Sequence, residues 1–181
     1  LLAEHHTDTG EVKSMRLADG STLILNTASA LDIRFSRTER RINLHQGEIM
    51  IQTAKDTTLS RPFMVQTSAG TVQALGTRFS VREADEIIVK VYLHSVEITT
   101  LDGLQERYHA GQTVNFNRQR IQAPMSFESD SNVSDAWTSN ILFVEDMSLD
   151  SFLRELNRYR RGVIRWEPAV ARYRISGAFN I

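Results

Sequence analysis

Met15-Arg16-Leu17-Ala18-Asp19-Gly20-Ser21-Thr22-Leu23-Ile24-Leu25 sets the reading of the whole N-terminal region. Met15 and Leu17, then Leu23 and Leu25, place apolar side chains at every second position on either side of Asp19-Gly20. A period of two is that of a strand with one buried face, and Asp-Gly is a tight-turn dipeptide because Gly tolerates positive φ. The pattern recurs at Leu31, Ile33 and Phe35 and then at Ile42–Leu44, Glu48–Gln52, Phe63–Gln66, Thr71–Leu75, Arg78–Val81, Ile87–Leu93, Val96–Thr99 and Thr113–Phe116. Asp102-Gly103 marks a second tight turn. Short alternating segments with frequent turns and no helical period predict an all-β body over residues 1–123, a sandwich or a twisted β-solenoid.

The rhythm breaks at Pro124. Residues 124–136 are rich in Ser, Asp and Asn and read as a linker. Beyond it, Ile141–Val144 is strand-like, and Leu149, Phe152, Leu153, Leu156 and Tyr159 form a stripe at helical spacing. Ser148 suits the N-cap, Asp150 the first turn, and Gly162 the end. Val163–Trp166 and Tyr173–Ser176 then read as strands around Pro168. Residues 137–181 are therefore expected to be a small α+β unit of order β-α-β-β, truncated at its C-terminus, since about forty residues bury little core alone. Trp137, Phe152 and Trp166 are expected in that core with Leu142, Val144, Leu149 and Leu153.

Composition excludes several functions. Among 181 residues, 41% are hydrophobic and 24% charged, ordinary for a globular protein, and a net charge of −1 gives nucleic acid no general attraction. With no cysteine there is neither disulfide nor thiolate chemistry. No run approaches the roughly 18–20 apolar residues of a membrane helix; Leu1 is not an initiator, so targeting and membrane segments are expected upstream. Nucleotide-cradling and nucleophile-elbow motifs are missing, and the five histidines form no ligand pattern. The expectation is a chain without catalytic residues, cofactor or metal. Asp19 and Asn26 read as turn or backbone-bonding residues rather than as acid–base groups.

Charge is segregated instead. Residues 150–181 hold seven arginines against three carboxylates, while the preceding 149 residues hold 14 basic and 19 acidic side chains. A basic face near the C-terminus would favour an acidic partner and speed encounter. Arg154, Arg158, Arg165, Arg172 and Arg174 are the candidate contact residues.

An ordered set of short motifs narrows this further: Gly10-Glu11, Leu17–Ser21, Leu25-Asn26, Arg41–Leu44, Gln46-Gly47-Glu48, Arg61-Pro62-Phe63, Leu75-Gly76-Thr77-Arg78-Phe79 and Ala110-Gly111-Gln112. In this order and spacing they resemble the FecR family over about 115 residues. Trp137, Ile141–Val144 and the Leu149 helix are similar to that family's C-terminal portion, which looks like the secretin and TonB N-terminal fold, and Ser148–Arg161, with Arg158-Tyr159-Arg160, resembles PupR-like regulators of siderophore uptake. Two positions depart from the family pattern: a hairpin that usually carries Gly has His94-Ser95, and Asn140 stands where Gly is expected before Ile141.

The resemblance implies a periplasmic relay module of a single-pass inner-membrane anti-sigma factor. Its partner would be the signalling domain of an outer-membrane TonB-dependent siderophore transducer, and its indirect target an extracytoplasmic-function sigma factor controlling iron uptake. Asp19, Gly20, Asn26, Gly47 and Gly76 would then be structural residues of the body. A carbohydrate- or envelope-binding β domain is the alternative, and an exposed row of aromatics on the body would favour it.

Overall fold

A computed structural model describes residues 3–57, 59–127 and 135–181. Thirteen short strands come first: β1 (His5–His6), β2 (Lys13–Arg16), β3 (Thr22–Leu25), β4 (Ala30–Phe35), β5 (Arg40–Gln52), β6 (Phe63–Gln66), β7 (Gly70–Ala74), β8 (Arg78–Glu83), β9 (Ile87–Leu93), β10 (Ser95–Thr100), β11 (Gln105–His109), β12 (Gln112–Phe116) and β13 (Met125–Ser126). They join into one large curled sheet. A 3-10 turn at Ala136–Ser139 leads into β14 (Ile141–Ser148), helix α1 (Leu149–Asn157), a second 3-10 turn at Pro168–Val170 and β15 (Arg174–Asn180). The expected mainly-β body followed by a small α+β unit is the observed architecture.

The sheet folds on itself because β5 belongs to two leaves. Its first half pairs with β4 and, in parallel, with β6; its second half pairs with β3 and β8. Ile42–Leu44 and Glu48–Gln52, expected as separate strands, are thus one 13-residue strand bent through Gly47. Gly47 has φ +86°, and a Cβ there would lie 2.5 Å from Ser29 Cα, so only glycine lets the β3–β4 connection cross this closely. The core lies between the leaves: Leu23, Leu25, Leu31, Ile42, Ile49, Ile51, Val65, Val72, Phe79, Val81, Val89, Ile98 and Phe116 are fully buried in it. Alternation is strict in β3 and β7, where buried and half-buried residues take turns.

His94 marks a corner rather than the hairpin expected there. β9 pairs with β8 and β12, and β10 with β7 and β11, so the chain changes leaf between Leu93 and Ser95. His94 makes that turn with φ +51°. Asn140, the other position where glycine was expected, also adopts the left-handed region, at φ +59°.

In the small unit, β14 and β15 form a two-stranded antiparallel sheet, with Leu142 opposite Phe179 and Val144 opposite Gly177. A bulge at Glu145–Asp146 shifts the register, so that Met147 faces Ile175. Helix α1 begins as expected, with Ser148 Oγ accepting from the Ser151 N–H at 3.2 Å. The helix covers one face of this sheet, where the Phe152 and Phe179 ring centroids lie 4.6 Å apart.

Val163–Trp166 is not a strand, so the unit is β-α-β. The Asn157 side chain takes both backbone groups of Ile164: its Oδ1 accepts from the Ile164 N–H at 2.8 Å and its Nδ2 donates to the Ile164 carbonyl at 3.3 Å. A segment satisfied by a side chain needs no neighbouring strand. The linker expected over 124–136 falls largely on residues 128–134, outside the described residues. At its two ends, β13 pairs with β12, and the Asp135 carboxylate meets Arg78.

Candidate partner-binding site

The small unit contains the candidate contact residues, and the structure divides the arginines into two groups. Three of the five named from the sequence are engaged inside the molecule. Arg154 grips Asp150 one helical turn away at 2.9 Å and lies over the Trp166 ring at 5.8 Å. Arg174 clasps Asp146 through two 2.8 Å hydrogen bonds across the bulge. In both pairs the guanidinium holds the carboxyl below the usual Asp range, chiefly by hydrogen bonding.

Arg158 turns inward. Its Nη2 donates to Glu48 Oε2 on β5 at 2.9 Å, and its Nη1 reaches Glu155. Arg82 on β8 binds the other side of Glu155 at 2.9 Å, completing the chain Glu48–Arg158–Glu155–Arg82. Burial alone would lift the Glu155 carboxyl, but Arg158 and Arg82 outweigh it and hold it below its ordinary value. Burial would likewise lower Arg158, and the two carboxylates raise it instead. Glu155 and Arg158 are therefore held in their charged forms. Beside them Tyr159, 6% exposed, accepts from Asn26 Nδ2 at 2.8 Å; burial and the Glu48 charge push its hydroxyl up to about 12.

Arg165 and Arg172 are exposed and make no ion pair among the described residues, and Arg160 and Arg161 share that property. Val163, 77% exposed, lies between Arg161 and Arg165 in the sequence, and Tyr173, 65% exposed, follows Arg172. The segment bearing them runs back along α1: Ile164 is tied to Asn157 at the helix C-terminus, and the Tyr173 carbonyl accepts from the Leu149 N–H at its N-terminus. Adjoining it, β15 exposes Arg174, Ser176, Ala178 and Asn180, and one of its two edges has no strand partner among the described residues. Among the described residues no group of His, Asp and Glu is placed to hold a metal ion.

The residues expected to be structural are placed as follows. Asp19 is buried against Arg40 at 2.7 Å and accepts from the Ser21 hydroxyl and N–H; Gly20 closes the same turn by donating to the Leu17 carbonyl. Asn26 is fully buried at the junction with Tyr159, and Gly76 turns the chain between β7 and β8 at φ +72°. Phe152 is buried within the small unit, as expected. Trp137 is buried too, but against Met50 and Tyr92 of the body. Trp166 is only half-buried, its Nε1 donating to Asp150 at 3.1 Å. Arg82 carried no signal in the sequence. Glu48 was visible as a strand residue and as part of the Gln46-Gly47-Glu48 motif but not as an ion-pair partner, since Arg158 lies 110 positions away.

The molecule is thus a wide curled β scaffold bearing a small α/β unit, whose surface carries a row of exposed arginines. The FecR protein family matches residues 3–97, and the chain belongs to this family of signalling regulators. Two crystal structures of a candidate anti-sigma factor from Parabacteroides distasonis share the fold, with TM-scores of 0.79 and 0.78. Each is 23% identical to this chain and aligns with 99% of it and 85% of the solved chain. Among curated proteins, none matches.

Proposed function

We propose that the chain is the periplasmic relay region of a transmembrane anti-sigma factor. It receives the signalling domain of an outer-membrane TonB-dependent siderophore transducer and, through a membrane-anchored cytoplasmic region, governs an extracytoplasmic-function sigma factor. Membership of the FecR family and the anti-sigma description of the structural neighbours support the regulatory part. No helix among the described residues is long and apolar enough to cross a membrane.

The observation that carries the binding surface is the row of exposed arginines Arg160, Arg161, Arg165 and Arg172, interspersed with exposed Val163 and Tyr173 along the segment that leads from α1 into β15. Free cations steer an acidic partner and set its register, exposed apolar residues supply a centre, and an unpaired edge offers backbone hydrogen bonds to an added strand. On the body, the exposed large hydrophobics among the described residues are Leu59, Leu93, Leu101, Leu104 and Met125. None is aromatic, so the aromatic row that would favour a carbohydrate surface has no support there.

Calorimetric titration with a transducer signalling domain tests the reading. Reversing Arg160, Arg161, Arg165 and Arg172 to Glu is expected to weaken binding at least tenfold and to flatten its salt dependence. Unchanged affinity and salt slope would remove the small unit from the interface.

A further inference from the structure

The small unit meets the body at two places of opposite chemistry. One is apolar. Trp137 is buried with Met50 and Tyr92, and Val12, Ile24, Phe127 and Ile181 pack around them. There the Ile181 N–H also donates to the Asn140 carbonyl at 3.1 Å, tying the end of β15 to the start of β14.

The other is polar, at the end of α1. The body contributes Asn26, Thr27, Glu48 and Arg82; the small unit contributes Glu155, Arg158 and Tyr159. Besides the ion-pair chain, Thr27 Oγ1 donates to the Arg158 carbonyl at 2.9 Å and accepts from the Gly10 N–H at 2.8 Å. Gly10 must lack a side chain, because a Cβ there would approach the Tyr159 carbonyl oxygen to 2.9 Å, with φ at +83°. Beside this contact lies a cleft of about 630 Å³, with Ile141, Phe143 and Met147 of β14 on one wall and Arg82 and Lys90 of the body on the other.

We propose that Glu48–Arg158–Glu155–Arg82, with Asn26 and Tyr159, is a releasable latch that fixes the small unit's orientation, and that Trp137 is the pivot about which the unit swings when it opens. The physical basis is the difference in what each contact loses on separation. Apolar surface that leaves Trp137 must be hydrated at a cost, so that end stays shut. The four charged groups regain their hydration when parted, which offsets much of their mutual attraction. A closed and an open arrangement of such a junction therefore lie close in free energy, the condition for a two-state element. Opening would widen the cleft and turn the β15 edge and its arginines relative to the body. The relevance of that swing to signalling rests on the partner reading above; the latch does not.

The chain has no cysteine, so a pair can be introduced without background. Arg118 on the body and Glu167 on the small unit are exposed sites for nitroxide labels in an Arg118→Cys, Glu167→Cys background. Pulsed electron paramagnetic resonance on the chain alone should give one narrow distance distribution. Arg158→Ala, Glu48→Gln and Arg82→Ala should each broaden it at least twofold, with far-ultraviolet circular dichroism unchanged. Inverting all four charges together (E48R, R82E, E155R, R158E) should narrow it again. Should Arg158→Ala unfold the small unit, Glu48→Gln and Arg82→Ala decide, since both lie on body strands. A distribution as narrow in those two variants as in the parent overturns the latch. No partner is present in this measurement, so its failure is separate from a failure of transducer binding in the calorimeter.

Discussion

The body and the small unit answer the same problem, burying one face of a sheet, with very different success. In the body the two leaves of one sheet close on each other, and Leu23, Phe79, Val89 and Phe116 are wholly shielded from water. In the small unit a two-stranded sheet is covered by a single nine-residue helix, and its best-buried side chains, Val144 and Phe152, remain 2% and 5% exposed. A sheet of two strands is marginal without something to lean on. The lesson is that the β body stands on its own core, while the small unit borrows stability from the body through Trp137 and the charged junction.

The sharpest way to break this contrast is to hollow each core. Phe79→Ala should cost near the upper end of the usual range, about 5 kcal/mol, because both leaves pack on it and cannot collapse inward. Denaturant melts should show the whole chain lose stability, including the small unit that rests on the body. Phe152→Ala should cost about 3 kcal/mol, all of it local. Hydrogen exchange should then speed up in β14, α1 and β15 and leave β3, β8 and β9 protected. Equal protection loss in both regions would show that they share one core.

Close to the second of these in size is the Asp19–Arg40 pair, the body's own buried charge. Asp19→Ala would leave Arg40 with the more distant Asp56 carboxylate at 4.0 Å and the Ala54 and Arg61 carbonyls, so the cost should sit at the low end for breaking a buried pair, about 3 kcal/mol. Burial tends to raise the Asp19 carboxyl, yet the hydrogen bonds from Ser21 and Arg40 outweigh it and leave it below the usual range. A depressed folded-state value means the carboxylate stabilises the fold above the unfolded value of about 3.9 and stops doing so as pH falls through the folded one. The parent should therefore lose stability below about pH 4 more steeply than Asp19→Ala, a difference read directly from acid melts.

What was legible in the sequence follows the same division. The body's strands could be read because each leaf has one dry face, so Leu23 and Leu25 alternate with Thr22 and Ile24 as the pleat requires. What could not be read was which strands share a leaf. The continuity of β5 through Gly47 and the change of leaf at His94 depend on long-range pairing, and a turn residue looks the same in a hairpin as at a corner. In the small unit the helix was legible from its stripe and its Ser148 cap. Val163–Trp166 misled because alternating apolar residues also suit an extended segment tied down by one asparagine side chain. The junction was hidden: Arg158 carries the same charge as its exposed neighbours Arg160 and Arg161, and only the arrival of Glu48 from the other end of the chain distinguishes it. Helical phase held the one available hint, since Glu155, Arg158 and Tyr159 lie three and four positions apart and so share a side of the helix end.

The smallest effect gives the finest test. Ser148→Ala removes the side-chain oxygen that satisfies the Ser151 N–H, a loss of about 1 kcal/mol in a typical helix. Were the unit a fully self-supporting fold, that loss would be diluted in its global stability and visible only as a small shift of its melt. A nine-residue helix is too short to hold itself in water, so its first turn should instead fray as a separate event. The N–H groups of Ser151 and Phe152 should exchange roughly fivefold faster, while residues 155–159 at the charged junction keep their parent rates. Uniform acceleration from Leu149 to Tyr159 would mean that the helix opens as one piece and that the body does not steady its far end.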